Sequence, residues 1–148
     1  MSIKKLLIGL FVFISVTQIS CKKDSDSGSN SSLIVGKWNS ESIRIKTTAP
    51  SGSGEQSSDE TDTWTGETYE FRSNGTTQSC IVGEGCSEDG YYKVSGSTLT
   101  FSENSDFSNP RTITIQTLTK NKLVIYEKDS ETINGYNIVY EYWVTYNR

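Results

Sequence analysis

From residue 36 onward, the sequence is a succession of short segments with alternating apolar residues, and this pattern restricts the fold strongly. Eight such segments occur, and β-branched and aromatic residues dominate them, as is typical of strands. They are residues 36–47, 64–72, 76–82, 91–95, 98–102, 111–119, 122–128 and 136–147. None has a helical period. Short strands joined by hairpins predict an all-β domain, either an up-and-down antiparallel barrel or a sandwich.

Tight turns join most of these segments. Asn74-Gly75 is the strongest hairpin signal, because both central residues of a type I′ turn need positive φ. One connection is different: residues 48–62 are rich in Ser, Gly and acids, and we expect a solvated loop there. Its acidic residues do not have the spacing of an EF-hand loop, so no metal site is predicted. A closed barrel has no exposed edges, which favours it over the sandwich.

The last segment, residues 136–147, is the most informative strand. Alternate residues form a continuous apolar face that should point inward: Tyr136, Ile138, Tyr140, Tyr142, Val144 and Tyr146. Buried tyrosine hydroxyls need hydrogen-bond partners, which are either backbone and water in a filled core or a ligand in a cavity. The candidate ligand-lining residues are therefore Tyr69, Phe71, Tyr136, Tyr140 and Tyr142.

The first 20 residues are typical of a targeting segment. Lys4 and Lys5 precede an apolar run over residues 6–16, shorter than the roughly 20 residues that a transmembrane helix needs. Residues 18–21 resemble the lipobox of bacterial lipoproteins, although Gln18 stands where that family usually has Leu. The resemblance implies cleavage before Cys21 and its acylation, and more than one acyl chain gives stable membrane anchoring. Ordinary signal-peptide cleavage beside an unmodified cysteine is the alternative.

This interpretation divides the chain into three parts. Residues 1–20 are a signal peptide, residues 21–32 are an acylated cysteine with a flexible Ser/Asp tether, and residues 33–148 are the folded domain. Lys22 is not the aspartate that signals inner-membrane retention where the sorting rule is known, so we expect the outer membrane, on either face. Without the signal peptide, 12 basic and 18 acidic residues remain. Such an acidic chain, with no basic cluster, does not predict nucleic-acid binding.

Three motifs, in this order, resemble the lipocalin-like domains of many bacterial lipoproteins. Gly36-x-Trp38 opens the first strand, an aromatic strand with Tyr69 and Phe71 runs into Asn-Gly-Thr, and residues 118–123 form a Leu-Thr-x-Asn-x-Leu turn. The resemblance covers residues 33–148. It implies an eight-stranded up-and-down barrel whose end is closed by Trp38, with an arginine near the chain's end, here Arg148, packed across the ring in a cation–π contact.

Little in the sequence indicates catalysis. The chain has no histidine, which excludes Ser-His-Asp and Cys-His catalysis and every metal site that uses imidazole. It also has no glycine-rich phosphate loop and no Gly-x-Ser-x-Gly elbow. The glutamates show no spacing that would select an acid and a nucleophile. We therefore predict no enzyme activity, no cofactor and no bound metal.

Cys80 and Cys86 are the two thiols that remain once Cys21 is acylated. A glycine-rich turn between them would place them opposite each other on neighbouring strands, within disulfide reach. Outside the cytosol such pairs are oxidised, so a structural disulfide is predicted, and a redox-active pair is the alternative. Closing so short a loop stabilises the fold by roughly 2–2.5 kcal/mol in the chain-entropy model.

The sequence therefore predicts a membrane-anchored lipoprotein that binds a small hydrophobic or amphipathic ligand without catalysis. A tyrosine-rich strand and a long loop that could cover a barrel mouth motivate this prediction. The alternative is a protein-binding module of the cell envelope, such as an inhibitor of a lytic enzyme or a surface-complex subunit, with the partner unknown. A barrel filled by its own side chains would contradict the first prediction, and an exposed apolar patch without a cavity would favour the second.

Overall fold

The computed structural model describes residues 30–148, which form one helical turn and nine strands. The elements are α1 (Asn30–Leu33), β1 (Gly36–Thr48), β2 (Ser58–Thr63), β3 (Glu67–Phe71), β4 (Thr76–Ile81), β5 (Gly85–Ser95), β6 (Thr98–Ser102), β7 (Arg111–Leu118), β8 (Lys122–Ile133) and β9 (Tyr136–Asn147). Within this part of the chain, no helix has the length and apolar character needed to span a bilayer. The predicted signal peptide, Cys21 and residues 22–29 lie outside the described residues.

Strand β1 closes the barrel because it has partners on both edges. Residues 36–39 pair with β3, and residues 39–48 pair with β9. From β3 to β9, each strand pairs antiparallel with the next one in the sequence. The closed ring therefore contains eight strands, β1 and β3 to β9. The predicted all-β, up-and-down barrel is confirmed, and the sandwich alternative is wrong.

Strand β2 is absent from the predicted strands. From the sequence its residues are expected in the solvated loop, but they pair with residues 42–47 of β1. The backbone N–H of Trp64 then donates to the oxygen of Glu41 at 3.0 Å, so β2 and β3 follow the same edge of β1 with a bend between them. No apolar alternation marks β2, because five of its six residues are exposed. The connecting loop is limited to residues 49–57.

Three strands of the ring, β1, β8 and β9, continue beyond it. Strand β7 pairs with β8 only as far as Tyr126, whereas β8 and β9 remain paired up to Ile133 and Tyr136. Together with β2 and the second half of β1, these extensions form a four-stranded sheet above one side of the barrel. We call this the upper sheet (β2 with residues 42–48, 127–133 and 136–142), and we call the barrel end below it the open end.

Trp38 fills the opposite, closed end. Its side chain is fully buried, and its Nε1 donates a hydrogen bond to the backbone oxygen of Ile34 at 2.7 Å. The guanidinium of Arg148 covers the ring, with Cζ 3.9 Å from the centroid, and Nη2 donates to the oxygen of Val35 at 2.6 Å. This is the arrangement that the resemblance to lipocalins implies.

Gly36 leaves room for that arginine. A Cβ at this position would lie 3.2 Å from Nη2 of Arg148, and the φ of Gly36 is 124°, a conformation that other residues rarely adopt. Gly36 and Trp38 of the motif therefore contribute to one contact. Gly36 leaves room for the guanidinium of Arg148, and this guanidinium covers the ring of Trp38.

The helical turn α1 also belongs to the closed end. The side-chain Nδ2 of Asn30 donates to the oxygen of Gly96 in the β5–β6 turn at 2.8 Å, and Ile34 is fully buried in the core. The sequence assigns residues 30–32 to the tether, and the structure places them in this folded turn instead. Most of the buried core lies at this end: Ile34, Trp38, Phe71, Tyr92, Leu99, Ile115, Leu123 and Tyr146.

Replacing Trp38 by alanine is expected to lower the free energy of unfolding by about 3–5 kcal/mol, because a fully buried ring leaves a large cavity. Urea denaturation followed by circular dichroism measures the change. Lys37→Ala, at the exposed neighbouring position, is the control and should leave the midpoint nearly unchanged. An equal midpoint for Trp38→Ala and the wild type would contradict the role of this ring.

Candidate functional site

The open half of the barrel contains a cavity of about 610 Å³. Small-molecule sites in proteins usually measure about 300–1,000 Å³. Phe71, Leu123 and Tyr146 belong both to the buried core and to the cavity lining, so they form its floor. The barrel is therefore filled by its own side chains only at the closed end.

The cavity wall is mainly apolar and aromatic. The inward faces of the strands supply it, and alternate residues of β9, Tyr142, Val144 and Tyr146, all line it. Tyr69 and Phe101 meet edge to face with their ring centroids 6.1 Å apart. The other apolar lining residues are Trp64, Phe71, Ile113, Leu123 and Ile125.

Three of the five candidate ligand-lining residues, Tyr69, Phe71 and Tyr142, line this cavity, and two do not. Tyr140 is opposite Asp129 in the upper sheet, above the ring. Tyr136 lies still farther along β9, where its hydroxyl oxygen would be 3.1 Å from a Cβ at Gly52. Both residues share the inward face of β9, but that face extends beyond the barrel, so their assignment to the cavity is wrong.

The loop beside the cavity is also not the expected one. Residues 49–57 contribute nothing to the lining, and Ser53 in this loop is only 3% exposed. The β6–β7 loop lines the cavity instead, through Glu103, Asn104, Ser108 and Asn109. The Ser102 hydroxyl donates to the oxygen of Ser108 at 3.1 Å, which holds this loop in place.

Sequence reasoning missed the charged residues of the site. Asp89, Glu103, Arg111 and Glu127 line the cavity near its open end, and we call them the rim. Nε of Arg111 donates to Oε1 of Glu127 at 2.7 Å, and a second guanidinium nitrogen pairs with Oε2. Arg111 and Glu127 come from neighbouring strands and lie 16 residues apart, so no local pattern could reveal the pair.

A β-bulge places Asp89 in the wall. Gln78 pairs with Glu88 and Thr77 pairs with Gly90, which leaves Asp89 without a cross-strand partner. Gly90 permits the bulge, because its φ is 104° and a Cβ there would collide with the backbone of β6. The bulge interrupts the alternation of β5, so the inward position of Asp89 could not be predicted from the strand period.

Two serines hold the carboxylate of Asp89. The hydroxyls of Ser79 and Ser87 each donate to Oδ1 at 3.1 Å. Oδ2 is buried and has no hydrogen-bond partner among residues 30–148. A buried polar atom without a partner usually indicates strain or an interaction that the protein alone does not supply.

Glu67 is a second carboxylate with a buried oxygen, Oε2, that has no partner within the described chain. Partial burial, and then the charge of Asp89, raise the pKa of Glu67 above its ordinary value. Tyr69 lies near both acids, and burial is the main cause that raises the pKa of its hydroxyl to about 12. The region around Asp89 therefore combines negative charge with the Tyr69 hydroxyl, which stays protonated at any physiological pH.

Cys80 and Cys86 are directly opposite each other on β4 and β5 and form a disulfide, so that prediction is confirmed. The bridge lies near the tip of this hairpin at the open end, where Val82 is 84% exposed. In the part of the chain that the structure covers, no group of three or more His, Cys, Asp or Glu side chains is placed to hold a metal ion.

A family model described as a lipocalin-like domain matches residues 34–125. The match begins at the buried Ile34 and extends into β8, so it covers more than half of the chain and most strands of the ring. A search of curated proteins found no matching relative.

Replacing Glu67 by glutamine is expected to stabilise the protein near neutral pH. Because its pKa is raised on folding, Glu67 contributes stability that is fully present below its ordinary value of 4.5 and is lost as the pH rises through the folded-state pKa. Glutamine removes this loss, so the gain should disappear well below pH 4.5. Urea unfolding at neutral and acidic pH measures both effects.

Glu70→Gln is the matched control, because Glu70 is on the opposite face of β3 and pairs with Arg72 at 3.6 Å. It should give no gain at neutral pH, since surface ion pairs contribute about 0–1 kcal/mol. A loss of stability in Glu67→Gln at neutral pH would show that the glutamate charge is stabilised in the folded state.

Proposed function

The chain belongs to the lipocalin-like domain family, and we propose that it binds a small hydrophobic or amphipathic ligand inside the barrel without changing it chemically. The cavity of about 610 Å³ in the open half is the observation that carries this proposal. A ligand that transfers its apolar surface from water to this wall gains free energy in proportion to the area buried. The family membership supports the same conclusion.

The geometry also suggests how the ligand is oriented. Its apolar part would lie on the aromatic floor, against Phe71 and Phe101, and a polar group would lie at the rim. Tyr69 and Tyr142 line the cavity and carry hydroxyls that can donate hydrogen bonds. The alternative, a protein-binding module, would be favoured by an exposed apolar patch in the absence of a cavity. The cavity therefore favours the ligand binder.

Native mass spectrometry of the protein purified gently from its host tests the proposal. We expect a non-covalent adduct that dissociates on denaturation, and its mass would begin to identify the ligand. Binding of the neutral fluorophore N-phenylnaphthylamine gives a second readout that needs no natural ligand. A bare mass together with no fluorophore binding would contradict the proposal.

Ile125→Trp is expected to reduce fluorophore affinity about tenfold, because the larger side chain displaces several ligand atoms that contribute about 0.3 kcal/mol each. Ile125 lines the cavity, whereas the adjacent Val124 is on the opposite face of β8. Val124→Trp is therefore the matched control and should retain wild-type affinity. Equal affinity in the two variants would place the fluorophore outside the cavity.

We also propose that acyl chains on Cys21 hold the protein in the outer membrane. The lipobox-like residues 18–21 and the lysine at position 22 support this proposal. The folded part begins at Asn30, which contacts Gly96 at the closed end. The nine residues 21–29 can span at most roughly 30 Å. An anchor at Cys21 would thus attach to the closed end, and the cavity mouth would face away from the bilayer.

Cys21→Ser is expected to move the protein from the membrane fraction to the soluble fraction, because the acyl chains lose their attachment site. Density-gradient fractionation and the mass of the N-terminal peptide measure this. The control is the double variant Cys80→Ser with Cys86→Ser, which removes the disulfide and should stay in the outer membrane. Wild-type membrane retention of Cys21→Ser would contradict lipidation.

A further inference from the structure

The charges at the cavity rim are not balanced. Three carboxylates, Asp89, Glu103 and Glu127, and one guanidinium, Arg111, line the cavity. Arg111 is already paired with Glu127 through two hydrogen bonds. Within the described chain, Asp89 and Glu103 form no ion pair. The lining therefore keeps two carboxylates without a counter-charge.

Asp89 is the more important of the two, because Glu103 is exposed to water. Asp89 is partly buried, its Oδ2 is sealed from solvent, and its Oδ1 accepts hydrogen bonds from two serine hydroxyls. A partly buried charge acts more strongly on its surroundings than an exposed one, because the effective dielectric constant near it is below that of water. Glu67, close enough to Asp89 for their charges to interact, adds to the negative potential.

We propose that the ligand of this cavity carries a cationic hydrogen-bond donor, such as an ammonium group, on an apolar body, and that Asp89 supplies its counter-charge. This inference rests on the proposed ligand-binding function. A cation beside Asp89 balances the carboxylate that the protein leaves without an ion pair. Its apolar body extends toward Phe71, Leu123 and Tyr146 on the floor.

An anionic ligand fits the same cavity poorly. A carboxylate or phosphate head group would approach Asp89 and Glu103, and like charges at short distance repel. Arg111 already donates two hydrogen bonds to Glu127, so the charge of Glu127 offsets much of its attraction for an incoming anion. The chain without its signal peptide is also acidic overall, which disfavours the approach of anions.

Three probes with the same alkyl chain and different head groups test the inference: decylamine, decanol and decanoate. Each is used to displace N-phenylnaphthylamine from the purified protein at neutral pH and below the concentration at which it aggregates. We expect decylamine to bind about tenfold tighter than decanol, because a charge-assisted hydrogen bond contributes roughly that much affinity. Decanoate should bind more weakly than decanol.

The outcomes separate this inference from the proposed function. Decanoate binding as tightly as decylamine would overturn the inference and leave a ligand-binding barrel without charge preference. No displacement by any probe, together with no binding of the fluorophore, would overturn the proposed function and the inference with it.

The variant Asp89→Asn tests whether Asp89 causes the preference for the cationic head group. Asparagine keeps the size of the side chain and an oxygen for the two serine hydroxyls, so decanol affinity should not change while the advantage of decylamine is lost. Glu88→Gln is the matched control, because it removes the same charge from the next residue, whose side chain pairs with Arg72 on the outer face. An equal loss in both variants, or none in Asp89→Asn, would overturn the role of Asp89.

Discussion

The hydrogen-bond ladder between β1 and β9 is the interaction on which the rest of the structure depends. It joins the first strand of the ring to the last, and it gives the inward faces of eight strands a common interior. Arg148, which follows β9, reinforces the closure by covering Trp38 and donating to carbonyls that precede β1. Without this ladder, both strands would present open edges, and the apolar faces would be exposed to water.

Closure explains why one barrel has a filled half and an empty half. Large side chains converge at the closed end, where Trp38 occupies the axis and α1 covers the base. At the open end the strands separate into the upper sheet and the β4–β5 hairpin, and the cavity occupies the interior there. The same strands therefore provide a packed core for stability and a cavity for binding, and the two are adjacent layers of one interior.

The charged part of the site depends on departures from regular strand geometry. The bulge in β5 turns Asp89 into the wall, and the glycine that follows it allows β6 to approach. Buried carboxylates reduce stability unless they are compensated. The cationic ligand that we infer would supply that compensation, and with the proposed anchor at the closed end it would enter the cavity from the surrounding solution.

The sequence by itself determined the strand periods, the hairpin at Asn74-Gly75 and the facing cysteines, because each depends on residues that are close together in the chain. The closure of the barrel by Trp38 and Arg148 was implied by the resemblance to lipocalins. The sequence also predicted that Tyr142, Val144 and Tyr146 of β9 point into the barrel. Only the tertiary structure decided that Tyr142 lines the cavity while Tyr140 lies above it, that acidic residues form β2, and that Asp89 and Arg111 both line the rim. The reason is that the stagger and register between strands arise from hydrogen bonds and packing between distant segments. A local sequence pattern does not predict these contacts.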